Sequence, residues 1–145
     1  MKNHLRKSVF LAFTLLSFGS HAADEDLSIN SGKYLSRVGD CIAWHTSSSD
    51  KPFAGGLRMS TPFGDIYTTN ITPDKETGIG NYSYEDFARA VRQGVAKDGH
   101  HLYPAMPYPS FSKIKDEDIR ALYDYFMNEV KPIHQENRES DIPWP

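Results

Sequence analysis

Apolar positions recur at helical spacing in three stretches of the chain, and between these stretches the period is lost. In residues 31–38, Tyr34, Leu35 and Val38 share one face behind an Asn30 or Ser31 cap, and Gly39 or Asp40 ends or bends the helix. Ser83 with Asp86 three residues on is a capping box in its weaker, aspartate form. Tyr84, Phe87, Ala88, Val91 and Val95 follow on one face, with Arg89, Arg92 and Gln93 outside and Gly94 and Gly99 bracketing the end. A third helix begins near Asp116-Glu117-Asp118, whose charges suit a helix N-terminus. Ile119, Leu122, Tyr123, Phe126, Met127 and Val130 form its apolar stripe, and Pro132 forbids continuation.

Proline and glycine punctuate residues 46–81 too densely for a long helix, and only Asp65-Ile66-Tyr67-Thr68-Thr69-Asn70 reads as a short strand. A stretch this long without regular structure is expected in a compact domain where it wraps something. As a mobile surface loop it would leave Phe53, Leu57, Phe63, Ile66, Tyr67 and Ile71 poorly hidden. Three helices joined by such loops make a poor self-sufficient core, so something other than side chains is expected to fill the middle. The polar residues 133–145, ending in Ile142-Pro143-Trp144-Pro145, read as a linker-like tail.

The beginning of the chain changes the charge. Lys2, Arg6 and Lys7 precede a mostly apolar run over residues 8–18, and Ser20-His21-Ala22 sets small residues three and one positions before a cut after Ala22. This is the pattern of a cleavable signal peptide over residues 1–22. The run is too short for a stable anchor, which takes about 20 apolar residues. The rest divides into a polar leader over 23–30, one domain over 31–132 and the tail over 133–145. It carries 13 Lys and Arg against 19 Asp and Glu, a net charge of −6. Such a surface argues against nucleic acid or anionic lipid as a partner and suits steering toward a basic protein face. A periplasmic location is expected, with no stable membrane span in the mature chain. Cys41 is the single cysteine, which excludes an internal disulfide, and an odd cysteine in an exported chain points to a covalent partner or a reactive thiol.

That cysteine opens the stretch Cys41-Ile42-Ala43-Trp44-His45, one residue away from the c-type haem attachment motif C-x-x-C-H. In the complete motif two thiols add across the haem vinyl groups and the imidazole becomes the proximal iron ligand. Here the first thiol and the histidine are present, and Trp44 stands in place of the second thiol. On spacing alone the plainer reading, a buried cysteine beside a surface histidine, is the stronger. A distal ligand is on offer from Met59, Met106 or Met127. Met127 belongs to the stripe of the third helix and reads as core filling. Met106 sits in Tyr103-Pro104-Ala105-Met106-Pro107-Tyr108-Pro109, where prolines prevent a helix; it either presents an axial thioether from a stiff loop or packs as filler. A metal site from His100-His101 with His45 or His134 lacks the carboxylate or cysteine spacing that completes a zinc set.

Gly32-Lys33-Tyr34-Leu35 with Gly39-Asp40-Cys41, Pro52-Phe53-Ala54-Gly55-Gly56, Thr61-Pro62-Phe63-Gly64, Asn70-Ile71-Thr72-Pro73-Asp74, Thr77-Gly78-Ile79-Gly80 and the stretch around Met106 together resemble class I cytochrome c. In particular they resemble the first haem domain of the multihaem cytochrome c subunit of bacterial membrane-bound alcohol, gluconate and related sugar dehydrogenases. The resemblance runs from Gly32 to the end. It implies an all-α fold with three main helices and long loops around a haem. The first and third helices would cross near Tyr34 and Leu35 on one side and Leu122 and Tyr125 on the other. It implies haem c as cofactor, with His45 as proximal and Met106 as distal iron ligand, Cys41 as a single thioether and Trp44 replacing the second haem cysteine. Residues 62–74 would wrap the haem edge and propionates. The implied role is an electron carrier with no catalysis of its own. Its donor would be a flavin or quinoprotein dehydrogenase, and its acceptor a quinone, an oxidase or another cytochrome.

Two departures bear on that expectation. Indole is far larger than a thiol, so Trp44 either packs against the vinyl group it cannot bond or displaces the porphyrin, and it alters the motif that maturation machinery reads. Haem would then be held by one thioether or noncovalently. The family's subunits also continue into two further haem domains and a membrane-associating C-terminus, so this sequence is expected to be a severed first domain. The alternative expectation is a haem-free remnant acting as a periplasmic interaction domain.

Overall fold

The computed structural model describes residues 20–142, with side chains described from residue 28 onward. Their regular elements are α1 (Ser20–Val38), α2 (Cys41–Trp44), β1 (Arg58–Thr61), β2 (Gly64–Tyr67), α3 (Tyr84–Gln93), α4 (Tyr108–Phe111) and α5 (Asp116–Asn128). α1, α3 and α5 overlap the three stretches of helical periodicity, with α1 starting well before the expected residue 31. Among the described residues, five helices stand beside one small antiparallel β1–β2 hairpin. The expected signal peptide falls largely on residues 1–19, outside the described residues.

α1 begins at Ser20, so residues 23–30, expected as a polar leader, are helical. Ala22, Ala23, Glu25 and Leu27 favour helix, and no glycine or proline interrupts before Gly32. The face that α1 turns to α5 also differs from expectation. Tyr34 and Val38 are 66% and 62% exposed, Leu35 packs partly against the core, and the buried positions are Gly32 and Ser36. A Cβ on Gly32 would overlap the Ala121 carbonyl oxygen and lie 2.7 Å from the Tyr125 Cβ. The two helices therefore meet along a seam of small residues, closer than bulky side chains would allow. Ser28 Oγ extends the seam with a 3.3 Å hydrogen bond to Asp124 Oδ2.

α3 is closed at both ends. Ser83 Oγ accepts from the Asp86 amide at 3.1 Å, Asp86 Oδ2 accepts from the Ser83 amide at 3.0 Å, and Gly94 caps the C-terminus at φ 66°. Arg92 is not simply outside. Its Nη1 lies 2.6 Å from Asp116 Oδ1 and its Nη2 donates to the Ile114 carbonyl, which ties α3 to the start of α5. The core gathers Phe53, Ile79, Phe87, Ile119, Leu122, Phe126 and Val130, with Phe53 and Phe126 edge-to-face at 5.1 Å. Met127 packs against this cluster as filler.

Residues 46–81 are ordered around the hairpin and a buried amide. Arg58 pairs with Tyr67 and Thr61 with Gly64 across the hairpin, leaving Phe63 80% exposed at its tip. Asn70 is buried; its Oδ1 accepts from Thr72 N at 2.9 Å and Thr72 Oγ1 at 2.7 Å, and its Nδ2 donates to Thr77 Oγ1 at 3.0 Å and Ile133 O at 2.8 Å. Residues 133–142, expected as a linker-like tail, contain no regular element and lie bonded along this loop. The Gln135 amide donates to Thr77 Oγ1 at 3.0 Å, Asn137 Nδ2 to Thr77 O at 2.9 Å, and the Asp141 amide to Asp65 O at 2.8 Å.

Candidate functional site

α2 is a single turn that starts from Asp40 in the left-handed region at φ 56°. The amides of Trp44 and His45 bond back to Asp40 O at 3.0 Å and Cys41 O at 2.9 Å. One helical turn sets positions 41, 44 and 45 on neighbouring parts of one face. All three line a cavity of about 500 Å³, within the usual range of about 300–1,000 Å³ for ligand sites. The hairpin supplies another wall with Met59, Ile66 and Tyr67, Met106 lines the cavity from its proline-rich loop, and Glu139, Ser140 and Ile142 add a wall from the tail. Residues 66–69 of the stretch expected to wrap a haem are at the cavity, whereas Phe63 is at the exposed hairpin tip.

His45 is held in one tautomer. Its Nδ1 lies 2.7 Å from the Thr69 carbonyl oxygen. A carbonyl can only accept, so Nδ1 carries the hydrogen and Nε2 keeps its lone pair. Backbone bonds tie the neighbouring residues together: Gly55 N donates to His45 O at 2.8 Å and Gly56 N to Thr68 O at 2.7 Å. Gly55 has φ 75°, and a Cβ there would stand 2.6 Å from both the Thr68 and Thr69 oxygens, so only glycine permits this approach. Burial pushes the His45 pKa below its ordinary value, against the Thr69 bond that favours the cation. The imidazole is therefore neutral at neutral pH, the form that ligates metals.

Burial pushes the Cys41 thiol up to about 11, with a backbone hydrogen bond opposing and Asp40 adding. It is protonated at neutral pH and is not an activated thiolate. Met106 is half-buried in a loop closed by hydrogen bonds from its own amide to Tyr103 O at 3.3 Å and from Tyr108 N to Met106 O at 2.8 Å. The Tyr108 ring lies directly on Gly94, where a Cβ would collide with it, so the end of α3 locates α4 and the loop before it.

The structure thus brings together Cys41, Trp44, His45 and Met106. Met59 joins them at the cavity and Met127 does not. His100 and His101 are exposed at the cavity, and His100 Nδ1 lies 2.6 Å from Asp98 Oδ1. His134 faces Asp74, Glu76 and Glu136 instead. Among the described residues no group of three His, Cys, Asp or Glu could hold a metal ion, so the set built on His100-His101 is not assembled. The Thr69 carbonyl, Phe111 and the tail residues are site components the sequence did not reveal; a backbone acceptor leaves no side-chain signature. A shallower groove of about 700 Å³ between α3 and α5 holds none of the candidate residues.

No family model matches the chain. Over 144 residues it is 57% identical to the gluconate 2-dehydrogenase cytochrome c subunit of Pantoea cypripedii, covering 97% of this chain and 33% of that protein. Over 147 residues it is 50% identical to the alcohol dehydrogenase (quinone) cytochrome c subunit of Gluconobacter oxydans strain 621H, covering 100% and 31%. The fructose dehydrogenase cytochrome subunit of Gluconobacter japonicus is 49% identical over 119 residues, covering 81% and 24%. The chain is a homologue of dehydrogenase cytochrome c subunits. It spans about a third of the length of the first of these relatives. The names of these relatives imply haem c, and the donor set of this cytochrome homologue fits that group. His45 has a free Nε2, Met106 offers a thioether at the same cavity, and Cys41 offers one thiol. Trp44 has no thiol to offer and is 46% exposed.

Proposed function

We propose that the chain is an exported haem-binding electron-transfer domain of the cytochrome c class. The observation that carries this reading is the meeting of Cys41, His45 and Met106 at one cavity, with the His45 Nδ1 already committed to Thr69. Homology to dehydrogenase cytochrome subunits supports it. In this reading the packing is that of an all-α cytochrome, three main helices around a haem, with the domain over residues 31–132, the tail over 133–145 and a cleavable signal peptide over 1–22. His45 would be the proximal iron ligand, Met106 the distal one, and Cys41 the point of attachment.

Bound haem supplies a one-electron ferric/ferrous couple. The chain's own residues hold it in a single state: the Thr69 carbonyl fixes the His45 tautomer, burial keeps that imidazole neutral, and the proline-bounded loop limits how far Met106 can move. His45 and Met106 would both be given to the iron, and in this reading the domain would carry electrons and have no catalysis of its own. A flavin or quinoprotein dehydrogenase would be the donor, and a quinone, an oxidase or another cytochrome the acceptor. The location would be the periplasm; among the described residues no helix is long and apolar enough to cross a membrane.

Met106→Ala in the haem-loaded protein should turn a six-coordinate low-spin spectrum into a five-coordinate or water-ligated one and lower the potential. An unchanged spectrum would remove Met106 from the distal position. Trp44 favours the second reading, a haem-free interaction domain, for which a cooperative thermal melt of protein made without haem would speak.

A further inference from the structure

The ionisable side chains of the cavity are few and unevenly placed. Among the described residues that line it, only His45, His100 and His101 can carry a positive charge, and only Glu139 can carry a carboxylate. His45 is committed to Thr69 and kept neutral by burial. Residues 66–69, the part of the hairpin strand and loop that reaches the cavity, bring hydroxyl groups but no cation. Arg138 lies over the Tyr67 ring at 4.0 Å and is not part of the lining. Backbone holds the remaining two histidines in place. Leu102 N donates to Gly94 O at 2.7 Å and Ala96 N to His100 O at 2.9 Å, so the pair stands on a narrow hairpin grown from the capped end of α3, with Val95 and His101 bridged. Both side chains are exposed where they meet the cavity. Asp98 Oδ1 accepts from the His100 amide at 3.2 Å and lies 2.6 Å from His100 Nδ1. A carboxylate only accepts, so Nδ1 carries a hydrogen and Nε2 is left for another partner. The His101 ring makes no hydrogen bond among the described residues, and both its nitrogens are available.

We propose that His100 and His101 receive the two carboxylate side chains of the haem and so set which edge of the macrocycle faces solvent. This deepens the reading of the cavity as a haem site and rests on it. Haem is an apolar ring with both carboxylates on one edge. Turned inward, those charges would lose water and find no cation, which is costly; turned toward His100 and His101 they stay hydrated and meet N–H donors. The charged form of His100 has a hydrogen on both nitrogens, so it bonds Asp98 and a second carboxylate at once, and His101 can donate from either nitrogen. Glu139 on the tail wall carries the same charge as the haem side chains and disfavours the placement that brings them to the tail.

The test changes the contact from each side in turn. The full chain carrying Cys41→Ser, in which no covalent bond can mask release, is loaded with haem or with haem dimethyl ester, whose side chains are uncharged. Loss of each group to excess apomyoglobin is timed with and without His100→Gln and His101→Gln, and the visible spectrum is recorded before transfer. With haem, each substitution should speed the loss about two- to five-fold, the scale of an exposed charge-assisted contact. The ester should leave the parent faster than haem does, and neither substitution should speed it further. The spectrum should stay low-spin throughout. Equal acceleration of haem and ester would show that the histidines act by packing alone and would overturn the proposal. No acceleration of either would overturn it too, and in both cases the low-spin spectrum would leave the His45–Met106 reading standing. A chain that takes up neither group would overturn the haem reading and the proposal with it.

Discussion

A half-buried imidazole with one nitrogen bonded to a carbonyl has one nitrogen left for chemistry, and His45 is such a group. The same burial makes it a pH-dependent element of stability. Its folded pKa lies below the ordinary 6.5, so below that pH the unfolded chain takes up a proton that the folded chain still refuses. Stability is therefore complete above about pH 6.5 and falls as pH drops from there toward the folded value. Asp74 and Asp86 act in a lower window. Bonds from the Thr77 and Ser83 amides hold their carboxyls below the ordinary 3.8, so their contribution is present above that value and is lost only as pH falls below it. The melting temperature of the haem-loaded protein should decline in two legs on acidification, and His45→Gln should remove the upper one. Two unchanged legs in that variant would place the upper titration elsewhere.

At the scale of elements, the contact of α1 with α5 depends on Gly32. Gly32→Ala forces a methyl group into the Ala121 carbonyl and should cost about 1–3 kcal/mol, as overpacking of a tight interface does. A melting temperature within a degree of the parent would contradict that seam. The tail is the second such dependence. Deleting residues 133–145 strips Asn70 and Thr77 of the Ile133, Gln135 and Asn137 partners, at about 1–3 kcal/mol for each buried group left unpaired. It also removes one cavity wall, so the shortened chain should melt lower and, in a Cys41→Ser background, lose haem faster; equal stability would make the segment a free linker. α3 and α5 were legible because their signals are local: Ser83 with Asp86, an acidic first turn, and stripes at helical spacing. The hairpin was half legible, since the strand around Ile66 has an apolar core but its partner Arg58–Thr61 does not. The tail and the α1 seam were hidden for a related reason. Polar Gln135 and Asn137 pair with backbone and hydroxyl groups, and Gly32 and Ser36 pack by being small, so neither looks like a buried face. At the site, spacing and the prolines raised Cys41, His45 and Met106 only as candidates and the family resemblance gave them their expected roles, whereas the Thr69 carbonyl could be found only in the fold.

For the whole molecule, the seven core side chains leave beside them a cavity walled by one turn of helix, a hairpin, a methionine loop and the tail. That arrangement supports a domain completed by a bound group. The central claim is that this group is a haem held between His45 and Met106. The most direct measurement is the visible spectrum, oxidised and reduced, of the purified chain from a host that loads c-type cytochromes, with haem and protein quantified together. The account predicts one haem per chain and a low-spin, six-coordinate spectrum with a sharp alpha band on reduction. A cooperatively folded, colourless protein from the same host would contradict it.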